Sequence, residues 1–354
     1  MKLLSHGMAR KALILRIAWG SVGFLLILVS ILGFLIYRQI YKTNLVGARG
    51  SKQFLYIPTG SDIQDVINIL ENEQLLLDEK SFRWTAHQMK YDIAVKPGKY
   101  QLKLRMNNKE LISLLRSGRQ VPVNVTFNNI RTVTQLANKI GDQIEAKPQA
   151  IINLLSDADY LIQLGFNSDN VLALFIPNTY EFYWNTSADK FIKKMKSEYE
   201  KFWSVQKLTQ AKTIDLTPIQ VAVIASIVQM ESNKEDEKPI IAGVYINRLK
   251  KEWRLEADPT LIFAIGDYSI TRVLNVYKEV ESPYNTYKYK GLPPGPICLP
   301  TIASINSVLN YIHHQYMYFC AKEDFSGYHS FAVSYEQHLQ NARRFQHALD
   351  KRGI

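Results

Sequence analysis

Cysteine is all but missing from this chain: Cys298 and Cys320 are the two among 354 residues. Such a pair is neither a disulfide framework nor a metal-ligand spacing. A single bridge stays open, but two packed thiols are the expectation. The seven histidines form no His-Glu-x-x-His pattern, so neither a metal nor a cofactor is expected. No serine stands in a Gly-x-Ser-x-Gly turn, which argues against serine acyl transfer. A compact Lys/Arg run with interleaved aromatics is also lacking, and nucleic acid is therefore a poor partner. What is present is a basic excess, 43 Lys and Arg against 32 Asp and Glu, for a net charge of +11. Beside a membrane such a surface suits anionic lipid or an anionic polymer, although much of it is simply solvated. Apolar residues make up 47%, too many for a disordered chain, and the length allows two or three domains.

A single run is both uncharged and apolar enough to cross a bilayer. Ile17 to Tyr37 is mostly Ile, Leu, Val, Phe and Gly, and about 21 residues suffice for one helical crossing. A signal peptide would have a shorter apolar core followed by a small-residue cleavage site. Here Tyr37, Arg38, Gln39 and Tyr41 follow, which favours a retained anchor. Lys2, Arg10, Lys11 and Arg16 before the span balance Arg38, Lys42, Arg49 and Lys52 after it, so charge alone leaves the orientation open. The expected organisation is an N-terminal tail (1–16), a transmembrane helix (17–37), a juxtamembrane linker (38–52), a small α+β subdomain (53–122) and a larger α/β domain (123–354).

Past the span, strands and helices alternate. Phe54 to Ile57 suits a short strand, and Ser61 or Asp62 can cap a helix with Ile63, Val66, Ile67 and Leu70 as its apolar stripe. A second helix is expected over Glu79 to Met89, a strand over Lys99 to Leu104, and a third helix from an Asn107-Asn108 cap to Gly118. Val123 to Ile140 repeats the strand–turn–helix pattern, with Val133, Leu136 and Ala137 echoing Ile63, Val66 and Ile67. Small units of this kind resemble LysM-like modules, which bind N-acetylglucosamine-containing glycans; an α+β domain that only packs is the competing reading. Farther on, residues 147 to 165 and Ser187 to Phe202 read as helices around an aromatic, turn-rich stretch. Asn233 to Lys238 reads as a polar loop before a helix from Pro239 to Lys251. Asp258-Pro259 reads as the cap and first-turn proline of a short helix that Gly266 closes. Ser282 to Tyr287 and Gly291 to Pro296 set aromatics and Asn among Pro and Gly, which suits a shaped wall rather than a linker. A helix near Ile302 to Ile312, strands over Tyr316 to Ala321 and His329 to Val333, and a basic helix from Tyr335 to Leu349 complete the chain.

The most informative stretch runs from Thr217 to Glu231. Thr217 can cap a helix, Pro218 suits its first turn and Gln220 completes a capping box. Val221 to Val228 is apolar or small almost throughout, so this helix is expected to be buried on all sides. Glu231 sits at its end. Apolar surroundings and the negative end of the helix dipole both disfavour a charged carboxylate there and push its pKa upward. A carboxylic acid still protonated near neutral pH is what general acid catalysis needs. The competing reading is a solvated Glu231 just past the buried turn.

Seven motifs occur in order: Ala-Ser-Ile-Val-x-x-Glu-Ser (225–232), Gly-Val-Tyr-Ile-Asn-Arg-Leu (243–249), Asp-Pro-Thr (258–260), Ser-Pro-Tyr-Asn-Thr-Tyr (282–287), Gly-Leu-Pro-Pro-Gly-Pro-Ile (291–297), Tyr-Phe (318–319) and His-x-Phe (329–331). With these motifs after one N-terminal anchor, the chain resembles the YceG-like family of membrane-anchored endolytic murein transglycosylases, most strongly over residues 217 to 333. The resemblance implies an α+β fold. Residues 1–16 would lie in the cytoplasm, and a LysM-like subdomain and a mixed α/β catalytic domain on the periplasmic side of the cytoplasmic (inner) membrane. It implies cleavage of the MurNAc-β-1,4-GlcNAc bond of nascent glycan strands without water, with termination of strand elongation as its biological result. The muramic C6 hydroxyl attacks C1 and leaves a 1,6-anhydro end. Glu231 would protonate the leaving oxygen and take the C6 hydroxyl proton. Glycan strands are the implied substrate, and the membrane and glycan polymerases of wall synthesis the implied partners. Two departures stand out: the Glu-Gly that opens the family's Glu-Gly-x-x-x-Pro-x-Thr-Tyr element is absent, though Pro177, Thr179 and Tyr180 remain, and Gln229 stands where many relatives carry Glu.

Further candidates surround Glu231. Asn247 and Asn285 could hydrogen-bond N-acetyl or hydroxyl groups, or serve as caps. Tyr284 and Tyr287, with Thr286 between them, could meet sugar rings through their apolar faces, or pack in the core. Asp258 reads first as a helix N-cap and second as a substrate-binding group, and His329 as a cleft or structural histidine. Two rival functions remain: a hydrolytic muramidase, which needs a second carboxylate, Asp258 first or else Asp236, and a non-catalytic, membrane-anchored glycan-binding scaffold.

Overall fold

The computed structural model describes residues 2–46, 53–270 and 272–353. The chain divides into two compact units, Met1–Val123 with Tyr183–Asn185, and Asn124–Phe182 with Thr186–Ile354.

The first unit opens with helix α1 (Lys2–Tyr41), whose segment Leu15–Tyr41 is long and apolar enough to cross a membrane. Its side chains from Ile17 to Tyr37 stand largely exposed, as a lipid-facing helix would leave them. The segment expected as a linker is built into the unit where it is described. The helix runs on to Tyr41, and Thr43 and Leu45 then form antiparallel bridges to Asn107 and Leu76. Leu45 enters the apolar core and Asn44 is buried beside it. The rest of that expectation, residues 47–52, lies outside the described residues.

Strand β1 (Gln53–Ile57), helices α2 (Ile63–Asn72) and α3 (Glu79–Gln88), strand β2 (Gly98–Leu102) and helix α4 (Asn108–Ser117) follow. The two strands pair antiparallel, Gln53 opposite Leu102 and Ile57 opposite Gly98. Asp62 and Asp65 close a capping box on α2, and Asn107 and Glu110 close one on α4. Each box satisfies backbone N–H groups that a helix start leaves unpaired. Gly118 ends α4 in the left-handed conformation, which costs glycine nothing. Val66, Ile67, Leu70, Phe82 and Tyr91 fill the core between helices and strands.

The second unit contains β3 (Val123–Thr126), α5 (Val133–Gly141), α6 (Pro148–Ser156), α7 (Ala158–Leu164), β4 (Thr179–Phe182), α8 (Ala188–Phe202), α9 (Val205–Thr213), α10 (Pro218–Glu231), α11 (Lys238–Lys250), α12 (Asp258–Ile265), α13 (Ile302–Leu309), β5 (Tyr318–Ala321), β6 (His329–Ala332) and α14 (Tyr335–Arg352). Strand β3 pairs with β4, and β5 runs antiparallel to β6 from Tyr318 opposite Ala332 to Ala321 opposite His329. The expected helix over 147–165 is two helices. Asp157 leaves helical geometry between them and its carboxylate caps the second. Helix α9 was not legible as one. Two Ser-x-x-Lys spacings, at Ser187 and Ser204, are helix caps: each hydroxyl accepts from the backbone N–H three residues on, at the start of α8 and α9.

Helix α10 is the centre of this unit. Thr217 and Gln220 close its capping box, and every residue from Val221 to Val228 is buried. Helices α11, α12 and α13 pack around it. Two of its polar side chains, Ser226 and Gln229, are paired with the segment that follows the Pro-Gly loop. Ser226 Oγ donates to the Val223 carbonyl at 2.7 Å and accepts the Ile297 N–H at 3.0 Å. Gln229 accepts the Thr301 N–H at 2.5 Å and donates to the Leu299 carbonyl at 3.2 Å. The segment after the Pro-Gly loop is thereby tied to the buried helix.

That loop also closes on residues 169–170. A Cβ on Gly295 would lie 1.8 Å from the Asp169 carbonyl oxygen, whereas one on Gly291, at φ +84°, would meet nothing. Gly295→Ala is expected to destabilise the protein by about 2–3 kcal/mol through forced backbone displacement. Gly291→Ala is expected to cost about 1 kcal/mol from backbone strain alone. Urea denaturation of both variants checks the order.

Candidate active site

Helix α10 ends on Glu231, and Ser232 turns the chain into extended geometry. Tyr245 on the neighbouring α11 donates its hydroxyl proton to Glu231 Oε1 at 2.5 Å. Oε2 has no hydrogen-bond partner among the described residues. The residue keeps partial solvent access, but protein crowds its carboxyl. Burial raises the pKa of Glu231 to about 7; the Tyr245 hydrogen bond opposes the rise, the nearby Asp258 charge adds to it, and Arg248 opposes it. Tyr245 is itself pushed well above the usual tyrosine range by burial and by the Glu231 charge. It therefore stays protonated and acts as a donor throughout the working pH range.

Behind this pair lies Arg248, 6% exposed. Its guanidinium donates to the Met317 carbonyl at 2.8 Å and the Leu255 carbonyl at 2.5 Å, and lies 3.8 Å from Glu256. A buried cation so held is fixed in place, and its field favours the ionised form of Glu231.

Asp258 is not the cap of α12. Ala257 occupies that position without a side-chain bond, and Asp258 is the first helical residue. Thr286 binds the backbone of the cap residue itself: its hydroxyl accepts the Ala257 N–H at 3.0 Å. The Asp258 carboxylate is exposed and accepts from the Tyr287 hydroxyl at 2.6 Å. Burial and Asp258 hold the Tyr287 phenol well above its ordinary range, so it too remains a donor.

The other predicted residues divide by whether their polar atoms are free. Asn285 is fully buried; its amide donates to the Lys278 and Val280 carbonyls, both at 2.8 Å, and its oxygen accepts from the Tyr287 and Lys288 N–H groups. Thr286 is buried and also bonded to Thr260 at 2.8 Å. Asn247 donates to the His314 and Tyr316 carbonyls at 2.8 and 3.0 Å. These three hold backbone. Tyr284 lays its ring against Phe263, centroids 4.7 Å apart, and its hydroxyl reaches the Asp169 carbonyl at 3.4 Å. His329 places Nδ1 2.7 Å from Glu237 Oε2, an oxygen that also accepts from Ser232 Oγ at 3.0 Å. Glu231, Asp258 and Tyr287 thus share one electrostatic neighbourhood, while His329 pairs with Glu237 beside Ser232.

Four residues in and around this site were not singled out from sequence. Tyr245 and Arg248 lie inside a recognised motif, and a tyrosine and an arginine in a helix with little polar face both demand polar partners. Glu237 and Lys238, read as part of a polar loop, are only 3% and 4% exposed. Glu237 turns inward because His329 and Ser232 supply it with donors. Beside Met230 and Pro259 a cavity of about 150 Å³ opens, walled by Ile262, Phe263, Tyr268 and Arg131. Arg131 lies flat over the Tyr268 ring, 4.2 Å from its centroid.

Comparison with known proteins places the chain in a family. The sequence profile of the YceG-like family matches residues 55–344. A Bacillus subtilis protein named endolytic murein transglycosylase is 30% identical over 286 residues, which cover 76% of this chain and 78% of the relative. A Streptococcus pneumoniae protein of the same name is 26% identical over 330 residues, 84% of this chain; the match spans 59% of that longer relative. The solved structure of a YceG-like protein from Listeria monocytogenes superposes with a TM-score of 0.53 at 26% identity, covering 82% of this chain and 99% of the other.

The raised pKa of Glu231 has a consequence for stability. The folded protein holds this proton more tightly than the unfolded chain, so stability falls as pH rises from about 4.5 to about 7 and loses nothing more above that. Glu231→Gln removes the ionisation. It is expected to raise stability by about 1–2 kcal/mol at pH 8 and to be near neutral at pH 4.5. Thermal unfolding of both proteins at the two pH values checks this.

Proposed function

Since the chain belongs to the YceG-like family, we propose that it is a membrane-anchored endolytic lytic transglycosylase of peptidoglycan. It cleaves the MurNAc-β-1,4-GlcNAc bond within nascent glycan strands and leaves 1,6-anhydro-MurNAc ends, which terminates strand elongation. The names of the Bacillus and Streptococcus relatives support the activity class. The observation that carries the mechanism is the carboxyl of Glu231, half ionised near pH 7, with one oxygen held by Tyr245 and the other unpaired.

Held this way, Oε2 carries and delivers the proton. Glu231 protonates the glycosidic oxygen as the C1–O bond breaks. Its carboxylate then accepts the proton of the muramic C6 hydroxyl as O6 bonds to C1. One proton is given and one returned, and no water enters. Tyr245 fixes the rotamer and stabilises the intermediate carboxylate, while Arg248 favours that charged state from behind. Tyr287, Asp258, Tyr284 and His329 face the sugars, and Asn247, Asn285 and Thr286 set the walls that carry them. The apolar cavity beside Met230 has room for a small group such as an N-acetyl methyl. Helix α1 anchors the chain in the cytoplasmic membrane with both units on the periplasmic side, where glycan polymerases would be its neighbours. The strand–helix–helix–strand order of the first unit supports a LysM-like glycan-holding role.

One observation favours a second reading. Asp258 is an exposed carboxylate near enough to act on Glu231, and a second carboxylate is what a hydrolytic muramidase requires. Mass spectrometry of products from uncrosslinked glycan strands separates the two. Anhydro ends are expected from the wild type, with at least about a hundred-fold loss in Glu231→Gln. Reducing ends that disappear in Asp258→Asn would establish the hydrolase. A folded wild type that binds strands without cutting them would leave only a scaffold. Tyr245→Phe removes the bond that opposes the rise in Glu231. The alkaline limb of its kcat/KM profile, near pH 7 in the wild type, is expected to move upward while the maximal rate falls about ten-fold.

A further inference from the structure

Where α1 leaves its apolar run, a cleft of about 560 Å³ lies against the start of α3, a volume typical of small-ligand sites. Arg38 and Lys42, one helical turn apart, stand on one side and Asp78 on the other, with Leu35 and Leu77 at its rim. Neither Arg38 nor Lys42 has an ion pair or side-chain hydrogen bond among the described residues.

The floor beneath them is a closed polar network. Asn44 donates to the Asp78 carbonyl at 2.8 Å and to Asn108 Oδ1 at 2.7 Å, and accepts the Asp78 N–H at 2.7 Å. Asn108 donates to Ser81 Oγ at 3.0 Å and to the Gln39 carbonyl of α1 at 2.8 Å. All three side chains are buried, Asn108 completely. The end of the membrane-crossing segment is thus fastened to the first unit in one geometry. The floor groups answer one another, whereas the two cations face open space. Asp78 Oδ1 accepts the Ser81 N–H at 3.1 Å, and its second oxygen is without a partner among the described residues.

We propose that this cleft seats the headgroup of a membrane phospholipid that carries hydrogen-bond donors, an ethanolamine or a glycerol headgroup. The phosphate lies on Arg38 and Lys42, the headgroup ammonium or hydroxyl on Asp78, and the acyl chains leave past Leu35, which sits one turn toward the bilayer. The charge pattern sets the class. Two cations against one carboxylate match a phosphate with a donor attached, and a choline headgroup has no N–H or O–H to give Asp78. Exposed Leu77, at 63%, suits the level where headgroup meets hydrocarbon. A free phosphate shares part of this chemistry but has no use for Leu35 and Leu77.

The inference rests on α1 spanning the membrane, so alkaline carbonate extraction of membranes containing the full-length protein comes first. Recovery in the supernatant would remove the anchor and this site together. With the protein retained in the pellet, native mass spectrometry in mild detergent compares phosphatidylethanolamine, phosphatidylglycerol and phosphatidylcholine of identical acyl chains. The first two are expected to be retained at least five-fold better than the third. Arg38→Gln with Lys42→Gln should abolish that preference. Asp78→Asn, which keeps a good helix cap, should also bring retention to the choline level. Equal retention of all three lipids by the wild type, or a preference unchanged in both variants, would overturn the site and leave the anchor standing. Displacement of bound lipid by 10-fold excess inorganic phosphate would overturn the lipid in favour of a free anion.

Discussion

Everything around the site follows from one constraint: a carboxyl group placed at the end of a helix that has no polar face. Val221 to Val228 is buried on every side, so α10 cannot turn Glu231 away into open solvent without exposing apolar surface. Desolvation then acts on a group that also lies at the negative end of the helix dipole. Left alone, such a carboxyl would be held neutral and could give a proton but would take one back too readily to leave again. The Tyr245 hydroxyl and the buried Arg248 favour the charged form. The opposed effects leave the carboxyl near pH 7, where giving and receiving are balanced. A single acid/base that performs both transfers needs that balance more than it needs an extreme pKa in either direction.

The same helix fixes the geometry of the walls. Ser226 and Gln229 project from α10 and hold the chain at Ile297 and Thr301, so the Pro-Gly loop is anchored at its end by buried hydrogen bonds. Asn285 does comparable work within the Ser-Pro-Tyr-Asn-Thr-Tyr loop, where both its donor hydrogens and its oxygen bind backbone. Thr286 ties that loop to the start of α12 and so places Asp258 and Tyr287 together. Polar residues that resemble ligand-binding groups in the sequence thus hold the loops in place, while the Tyr287 hydroxyl and the Asp258 carboxylate that they position bond to one another.

Much of this was legible in the sequence because local chemistry dictates it. The Thr217 and Gln220 capping box, the Asn107 cap, the left-handed Gly118 and the apolar run before Glu231 are all short-range signals, and each is found in place. What was not legible depends on contacts distant in the chain. Asp258 looked like a cap because Asp-Pro commonly is one, yet its carboxylate accepts from Tyr287, 29 positions on by number. Glu237 looked solvated among the other five residues of a polar loop, and only the return of β6 brings His329 to it. Tyr245 could not be paired with Glu231 without the packing of α11 on α10. Residues 38–52 looked like a tether, yet Asn44 and Leu45 find partners at the starts of α3 and α4 and in the segments that lead into them.

Gln229 shows how closely the electrostatics of the site and the scaffolding of α10 are joined. It lies two residues before Glu231, where the family pattern often has a glutamate. Here the side chain must both accept, from the Thr301 N–H, and donate, to the Leu299 carbonyl. A primary amide meets both demands at any pH. An ionised carboxylate could meet only the first and would face the Leu299 carbonyl without a proton to offer. It would also add a second negative charge near Glu231 and push that group further toward neutrality. With the amide in place, the remaining carboxylate that acts on Glu231 is Asp258, on a different helix and at the exposed edge of the site. The electrostatics at the end of α10 therefore turn on one crowded carboxyl, Glu231, and one exposed carboxylate neighbour, Asp258, whose charge adds to the rise in the pKa of Glu231.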